Sequence, residues 1–196
     1  MKVNFLTFLL FVSITLPKAA DLDTVRTTFA DGKVARMYTV QHGTTVKEGV
    51  SYSYHPDGAI AVEIPYIDGK ITGTYKSYYA SGKLHQVINY LADEENGVSE
   101  TYYENGKIRK RETYKVGVLE GLTEEFDENG TKRSELKYER GSLNGKAVMF
   151  DEAGMLSEDM DFEQGMRHGY YRKYNKGIML QQMRFFRNRC DSGCGN

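Results

Sequence analysis

A glycine returns every 24 residues, at Gly49, Gly73, Gly97, Gly121, Gly145 and Gly169. Five residues after each stands an aromatic: Tyr54, Tyr78, Tyr102, Phe126, Phe150 and Tyr174. A second glycine follows the first by nine residues, at Gly58, Gly82, Gly106, Gly130 and Gly154, slipping by one to Gly177 in the last copy. A second aromatic column comes eight residues later: Tyr66, Tyr90, Tyr114, Tyr138, Phe162 and Phe185. A third glycine column, Gly69, Gly117, Gly141 and Gly165, is broken at Asp93 and Asn188. Self-similarity at a fixed period of this length is the signature of a stacked repeat array. A decayed earlier copy is visible in Gly32, Val34, Val40 and Gly43, so the array runs from near Thr28 to about Arg189. Those limits leave no stretch long enough for a separate catalytic domain.

Turn chemistry divides each unit into two strands. Pro56-Asp57-Gly58, Glu104-Asn105-Gly106 and Glu128-Asn129-Gly130 place glycine after Asp or Asn, where a hairpin demands positive φ. Ile67-Asp68-Gly69 and Glu139-Arg140-Gly141 supply the second turn. Two strands and two turns in one period predict an all-β protein: an elongated, twisted, single antiparallel β-meander of six to seven two-strand repeats. Counting from each first glycine, odd positions hold Val50, Tyr52 and Tyr54, then Ile60, Val62, Ile64 and Tyr66. Even positions hold Ser51 and Ser53, Arg109 and Arg111, or Asp159 and Asp161. Alternation of period two therefore predicts odd positions inward, on one aromatic ladder, and even positions outward. Lys110, Glu112, Glu124 and Lys132 break the rule and imply snorkelling stems.

Composition bears on location and partners. Lys2, the apolar run Phe5 to Leu16 and the small Ala19 and Ala20 read as a secretory signal over residues 1–20, too short to span a bilayer. The expected organisation is then an N-terminal cap with a degenerate repeat over 21–48, six repeats over 49–189, and a flexible tail over 190–196. The mature chain is expected to be secreted or periplasmic. Losing Lys2 and Lys18 moves the formal charge from −1 to −3, which argues against nucleic acid. Cys190 and Cys194 lie in the tail, close enough to form a local disulfide in an oxidising compartment.

The run Gly97 to Gly117, with Tyr102-Tyr103-Glu104-Asn105-Gly106-Lys107-Ile108, then Tyr114, resembles the MORN-repeat variant of bacterial proteins known as YwqK-type antitoxins. The resemblance covers roughly residues 28 to 189. It implies a repeat scaffold that binds protein or lipid, and an antitoxin-like member would bind and neutralise a toxin.

No catalytic or metal constellation emerges. His42, His55, His85 and His168 fall at unrelated places in their copies, and no metal-ligand spacing, nucleophile elbow or phosphate loop occurs. No cofactor is expected. Asp159 and Asp161 read as surface decoration. Arg109, Arg111, Arg133 and Lys137 read as a basic strip on the outer face, which either orients a charged partner or satisfies neighbouring strands. Tyr75, Met149 and Tyr171 are the outward apolar anchors of a candidate protein interface. The expected partner is another protein, a toxin or an envelope protein; the alternative is an anionic lipid or envelope polymer on the basic strip.

Overall fold

A computed structural model describes residues 21–194. The expected signal segment, residues 1–20, and the last two residues of the tail lie outside the described residues. The chain folds as one open antiparallel sheet. A first hairpin, β1 (Leu22–Thr28) and β2 (Val34–Gln41), leads into β3 (Gly49–Tyr54) and β4 (Ile60–Ile67). Next come β5 (Lys70–Ile71), β6 (Gly73–Tyr78) and β7 (Leu84–Leu91), then β8 (Glu94–Glu95), β9 (Gly97–Tyr102) and β10 (Ile108–Lys115). The array continues through β11 (Val118–Leu119), β12 (Gly121–Phe126), β13 (Lys132–Glu139), β14 (Ser142–Phe150), β15 (Leu156–Glu163), β16 (Met166–Asn175) and β17 (Ile178–Phe186). It closes with β18 (Arg189–Ser192).

Each strand pairs with its sequence neighbours, and the two-residue segments β5, β8 and β11 are the leading ends of the strands after them, set off by a bulge. At about 4.8 Å between strands, the sheet extends roughly 70 Å along its hydrogen bonds. The tail departs from the flexible segment expected: Arg189–Ser192 pairs with β17, because Asn188 completes one more hairpin turn.

The first glycine column has a specific partner. Gly49, Gly73, Gly97, Gly121, Gly145 and Gly169 face Tyr66, Tyr90, Tyr114, Tyr138, Phe162 and Phe185 directly across the ladder. At Gly73 φ is +116° and an added Cβ would stand 3.2 Å from the Pro65 ring; at Gly169 it would meet Asp161 at 2.9 Å. Side chains are excluded by both conformation and space.

Second turns are type I′, with two successive positive-φ residues, such as Asp68 and Gly69 or Val116 and Gly117. Where Asp93 and Asn188 replace the glycine, each carboxyl or amide oxygen accepts a hydrogen bond from the previous repeat, from Ile71 N and Arg167 N. The turn N–H of the glycine or its substitute also bonds back one repeat, as in Gly117 N to Glu95 O and Asn188 N to Arg167 O. First turns are tied forward: Tyr79 Oη donates to Tyr102 O at 2.7 Å, and Tyr103 Oη to Phe126 O at 2.9 Å.

The register overturns the expectation of one inward ladder. From β1 to β16, away from the bulges, an odd-numbered residue faces an even-numbered one, as Ser51 faces Ile64 and Tyr52 faces Glu63, whereas the ladder of β16 with β17 opposes residues of like parity, as Tyr171 faces Met183. Directly opposed residues share a face, so the parity that points inward on one strand points outward on the next. Tyr52 and Tyr54 consequently lie on the face opposite Ile64 and Tyr66. The two aromatic columns occupy opposite faces, and among the described residues no large side chain is fully buried. The front face is that of Tyr66, Tyr90 and Ile88; the back face is that of Tyr54, Tyr78 and Tyr102.

Candidate functional site

The back face carries an unbroken row of opposed residues: Tyr52, Glu63, Lys76, Val87, Glu100, Arg111, Glu124, Glu135, Val148, Asp159, Arg172 and Gln182. Arg111 sits between two carboxylates, with Nε 2.8 Å from Glu100 and Nη1 3.2 Å from Glu124. Lys132 reaches Glu124 at 2.5 Å and Glu135 at 2.8 Å, over the Phe126 ring. These contacts set the local ionisation. The Lys132 hydrogen bond holds Glu124 below the usual carboxylate range. Burial pushes Glu100 upward, but hydrogen bonds from Tyr102 and Arg111 outweigh it and the carboxyl ends below its ordinary value. Burial and then the Glu100 hydrogen bond raise Tyr102 to about 12.

Asp159 corrects a second expectation. Far from decorating the surface, it is 6% exposed, with Arg172 and the Tyr174 hydroxyl each at 3.0 Å and Lys146 at 3.5 Å. Hydroxyls of the first aromatic column reach into this row: Tyr78 Oη donates to Glu63, Tyr102 Oη to Glu100 and Tyr174 Oη to Asp159.

The basic strip does not exist as a strip. Arg111 faces the back and is neutralised there. Arg109 and Arg133 occupy bulge positions, skipped by the pairing of β9 with β10 and of β12 with β13. Arg109 is exposed over the Tyr103 ring, 5.9 Å from its centroid. Arg133 is bound to Asp127 at 2.6 Å and to the Asp151 carbonyl. Lys137 is exposed on the back face, its stem across Gly145. The bulges account for the split, because each shifts the facing of the residues beside it.

Tyr75, Met149 and Tyr171 do share one face, the front. Tyr75 opposes Ile88 and stands edge-on to Tyr90, with centroids 6.4 Å apart. Tyr171 opposes both Met160 and Met183, and Met160 in turn opposes Ala147. Leu136, Leu143, Met149, Met160, Phe162 and Tyr171 line one shallow apolar depression over β13 to β16. A polar stretch separates it from the Tyr75 cluster: Ser99 opposes Glu112, Thr101 opposes Lys110, and Lys110 opposes Glu125. The anchors thus belong to the same face as the second aromatic column, which the sequence had placed on the other side.

Among the described residues no group of three metal-ligating side chains comes together. His42 contacts Asp23 at 3.1 Å and His85 packs on Tyr79 at 4.6 Å, each in separate local surroundings. Cys190 and Cys194 form a disulfide, with their Cα atoms 6.3 Å apart.

Residues 47–68, 71–92, 95–115 and 119–140 each match the family model for the MORN repeat variant. Over these four segments the chain matches MORN repeats. Each match spans one hairpin together with the bulge that precedes it. The same hairpin continues beyond the matched segments, in β14–β15 and β16–β17. No curated protein matches the chain.

Proposed function

We propose that this MORN-repeat chain is a non-enzymatic, protein-binding repeat protein of the cell envelope, secreted or periplasmic, that docks its partner on the front face. The observation that carries this reading is the apolar depression of Leu136, Leu143, Met149, Met160, Phe162 and Tyr171. It stands on hydrogen-bonded strands, so the anchors are ordered before a partner arrives, which lowers the entropic cost of binding. Lys173 and Glu158, opposed on the same face, supply a mixed-charge rim. MORN repeats in general bind proteins or membranes, in keeping with this use. An immunity or antitoxin-like role, in which the partner is a toxin, is the biological setting we propose. A lipid- or polymer-binding scaffold is the weaker reading, because Arg111 and Arg133 are already engaged by carboxylates.

Site-specific photo-crosslinking tests it. A photoreactive residue at Met149 is expected to capture a single stoichiometric protein from the native cells, and one at Lys137 on the back face is not. Tyr171→Glu should abolish the capture, and raising the salt concentration should leave it largely intact. Recovery of lipid alone, or equal capture from both faces, would overturn the proposal.

A further inference from the structure

A single charge interrupts the middle row of the front face. Opposed positions carry that row across the sheet from Ser51 to Met183, with Tyr75 and Ile88 on one side of its centre and Leu136, Ala147 and Met160 on the other. At the centre Ser99 faces Glu112. The register of β10 with β12 opposes Lys110 to Glu125 and Arg111 to Glu124, which sets Thr123 on the far side of Glu112. Glu112 is the only charged residue in the row.

Folding alone does not call for polarity at this point. Ser99 is 7% and Thr123 3% exposed, and neither hydroxyl has a hydrogen-bond partner among the described residues. Buried hydroxyls left unbonded cost stability, and equivalent places in the row hold Tyr75 or Ala147. Glu112, between them, keeps 19% of its side chain exposed. The surrounding charges are unbalanced. Lys110 binds Glu112 at 2.9 Å, but the same face carries Glu95, opposite Tyr90, and Glu125, opposite Lys110. Burial and then the Glu112 charge push Glu95 above its ordinary value, and burial followed by the Glu112 and Glu95 charges raises Tyr114 to about 12. Both carboxylates therefore act on one sheltered patch. Arg133 and Arg109 line the depression beside Glu112 and Glu125, but Arg133 is taken up by Asp127 and Arg109 lies over Tyr103. The carboxylates do not converge as metal ligands among the described residues, so the cation this patch suits is one carried by a side chain.

We infer that the protein docking on the front face sets a lysine or arginine side chain over Glu112, between apolar groups that meet Tyr75 on one side and Leu136 on the other. This rests on the front-face reading and adds the partner's chemistry to it. Leu136 stands two ladder steps from Glu112, about 10 Å, and Tyr75 three steps, about 14 Å. The incoming cation meets Glu112 and Glu95 where salt screens little. A partner that is apolar at that place covers two neighbouring carboxylates without compensating them, which selects against it.

The probe is a fluorescent peptide of about nine residues with arginine at its centre, leucine at both ends and serine and threonine between, so that each leucine lies about 13 Å from the cation on the same side of an extended chain. Anisotropy should show saturable binding, at least about tenfold tighter than that of the same peptide with norleucine at its centre. Glu112→Gln should reduce this preference to less than about threefold. The two peptides compared on the unaltered protein keep the test decisive even if Glu112→Gln fails to fold. Equal binding of the two peptides, binding of neither, or a preference that survives Glu112→Gln would overturn the inference. Crosslinking at Met149 separates the two failures: capture of a protein without any preference for arginine removes the cation alone, and absence of capture removes the docking face with it.

Discussion

Arg172 donates a 3.0 Å hydrogen bond to Asp159 across the β15–β16 ladder. The carboxylate is the most buried charge on the back face, and Tyr174 Oη binds its second oxygen. Breaking such a pair strands the remaining partners in a sheltered site. Asp159→Asn should therefore cost about 2 kcal/mol in urea unfolding. Lys146→Ala, at the exposed end of the same network, should cost less than about 1 kcal/mol. Equal effects would remove Asp159 from the centre of the network.

Val116 occupies the first central position of a type I′ turn, at φ +49°, where its counterparts are Asp68, Ala92, Arg140, Gln164 and Arg187. A β-branched side chain is poorly suited to the left-handed region, and asparagine tolerates it. Val116 is 61% exposed, so its replacement sacrifices little burial. Val116→Asn is expected to stabilise the protein by about 1 kcal/mol in thermal or urea unfolding. An unchanged or lower stability would show that the turn bears no strain.

Periodic glycines and aromatics were sufficient to specify the meander, since hairpin turns and strand lengths are local properties. Facing was not. A reading in which one parity points inward treats the repeat as a single continuous strand, but the five-residue turn at Gly58 opposes Ser51 to Ile64, so the inward parity changes between β3 and β4. The same error placed Arg109, Arg111, Arg133 and Lys137 together and hid the row from Glu100 to Asp159. Lys110, Glu112, Glu124 and Lys132, which broke the assumed alternation, were the signal that both faces are occupied. Glu124 faces Arg111 and Lys132, and Lys110 meets Glu112 at 2.9 Å on the other side. The burial of Asp159 follows from contacts with β16, a strand away, and no spacing within β15 encodes it.

The ion pairs and tyrosines of repeats three and four predict a pH profile with two limbs. Glu100 and Glu124 titrate below their ordinary values in the folded chain, so the stability they contribute is present above the unfolded carboxylate range. It is lost as pH falls through their lowered values. Glu95 opposes this: burial and the Glu112 charge raise it, so its neutralisation on acidification relieves a cost. Tyr102 is raised to about 12, as is Tyr114, by burial and then the Glu112 charge. A raised tyrosine contributes stability below pH of about 10 that is lost as pH climbs toward 12. Glu124→Gln should flatten the acid limb and Glu95→Gln should raise stability at neutral pH. Ultraviolet titration should find two tyrosines that ionise only near pH 12. Ionisation of every tyrosine near 10 in the folded state would contradict the packing of Tyr102 and Tyr114.

Thr123 is 3% exposed, opposite Leu136 on the front face, and its Oγ1 has no hydrogen-bond partner. A buried hydroxyl with nothing to bond carries a desolvation penalty that its methyl group does not offset. Valine has nearly the same shape and no polar atom. Thr123→Val should therefore stabilise the protein by about 1 kcal/mol, whereas Thr123→Ser, which keeps the hydroxyl and deletes the methyl, should destabilise it by a similar amount, about 1 kcal/mol. Ser99 Oγ, opposite Glu112, is buried without a partner in the same way, so Ser99→Ala should be neutral or mildly stabilising. Urea unfolding of the three variants separates this account from its converse: a loss of stability in both Thr123→Val and Ser99→Ala would show that the hydroxyls are bonded in solution, and that the centre of the front face is organised by them.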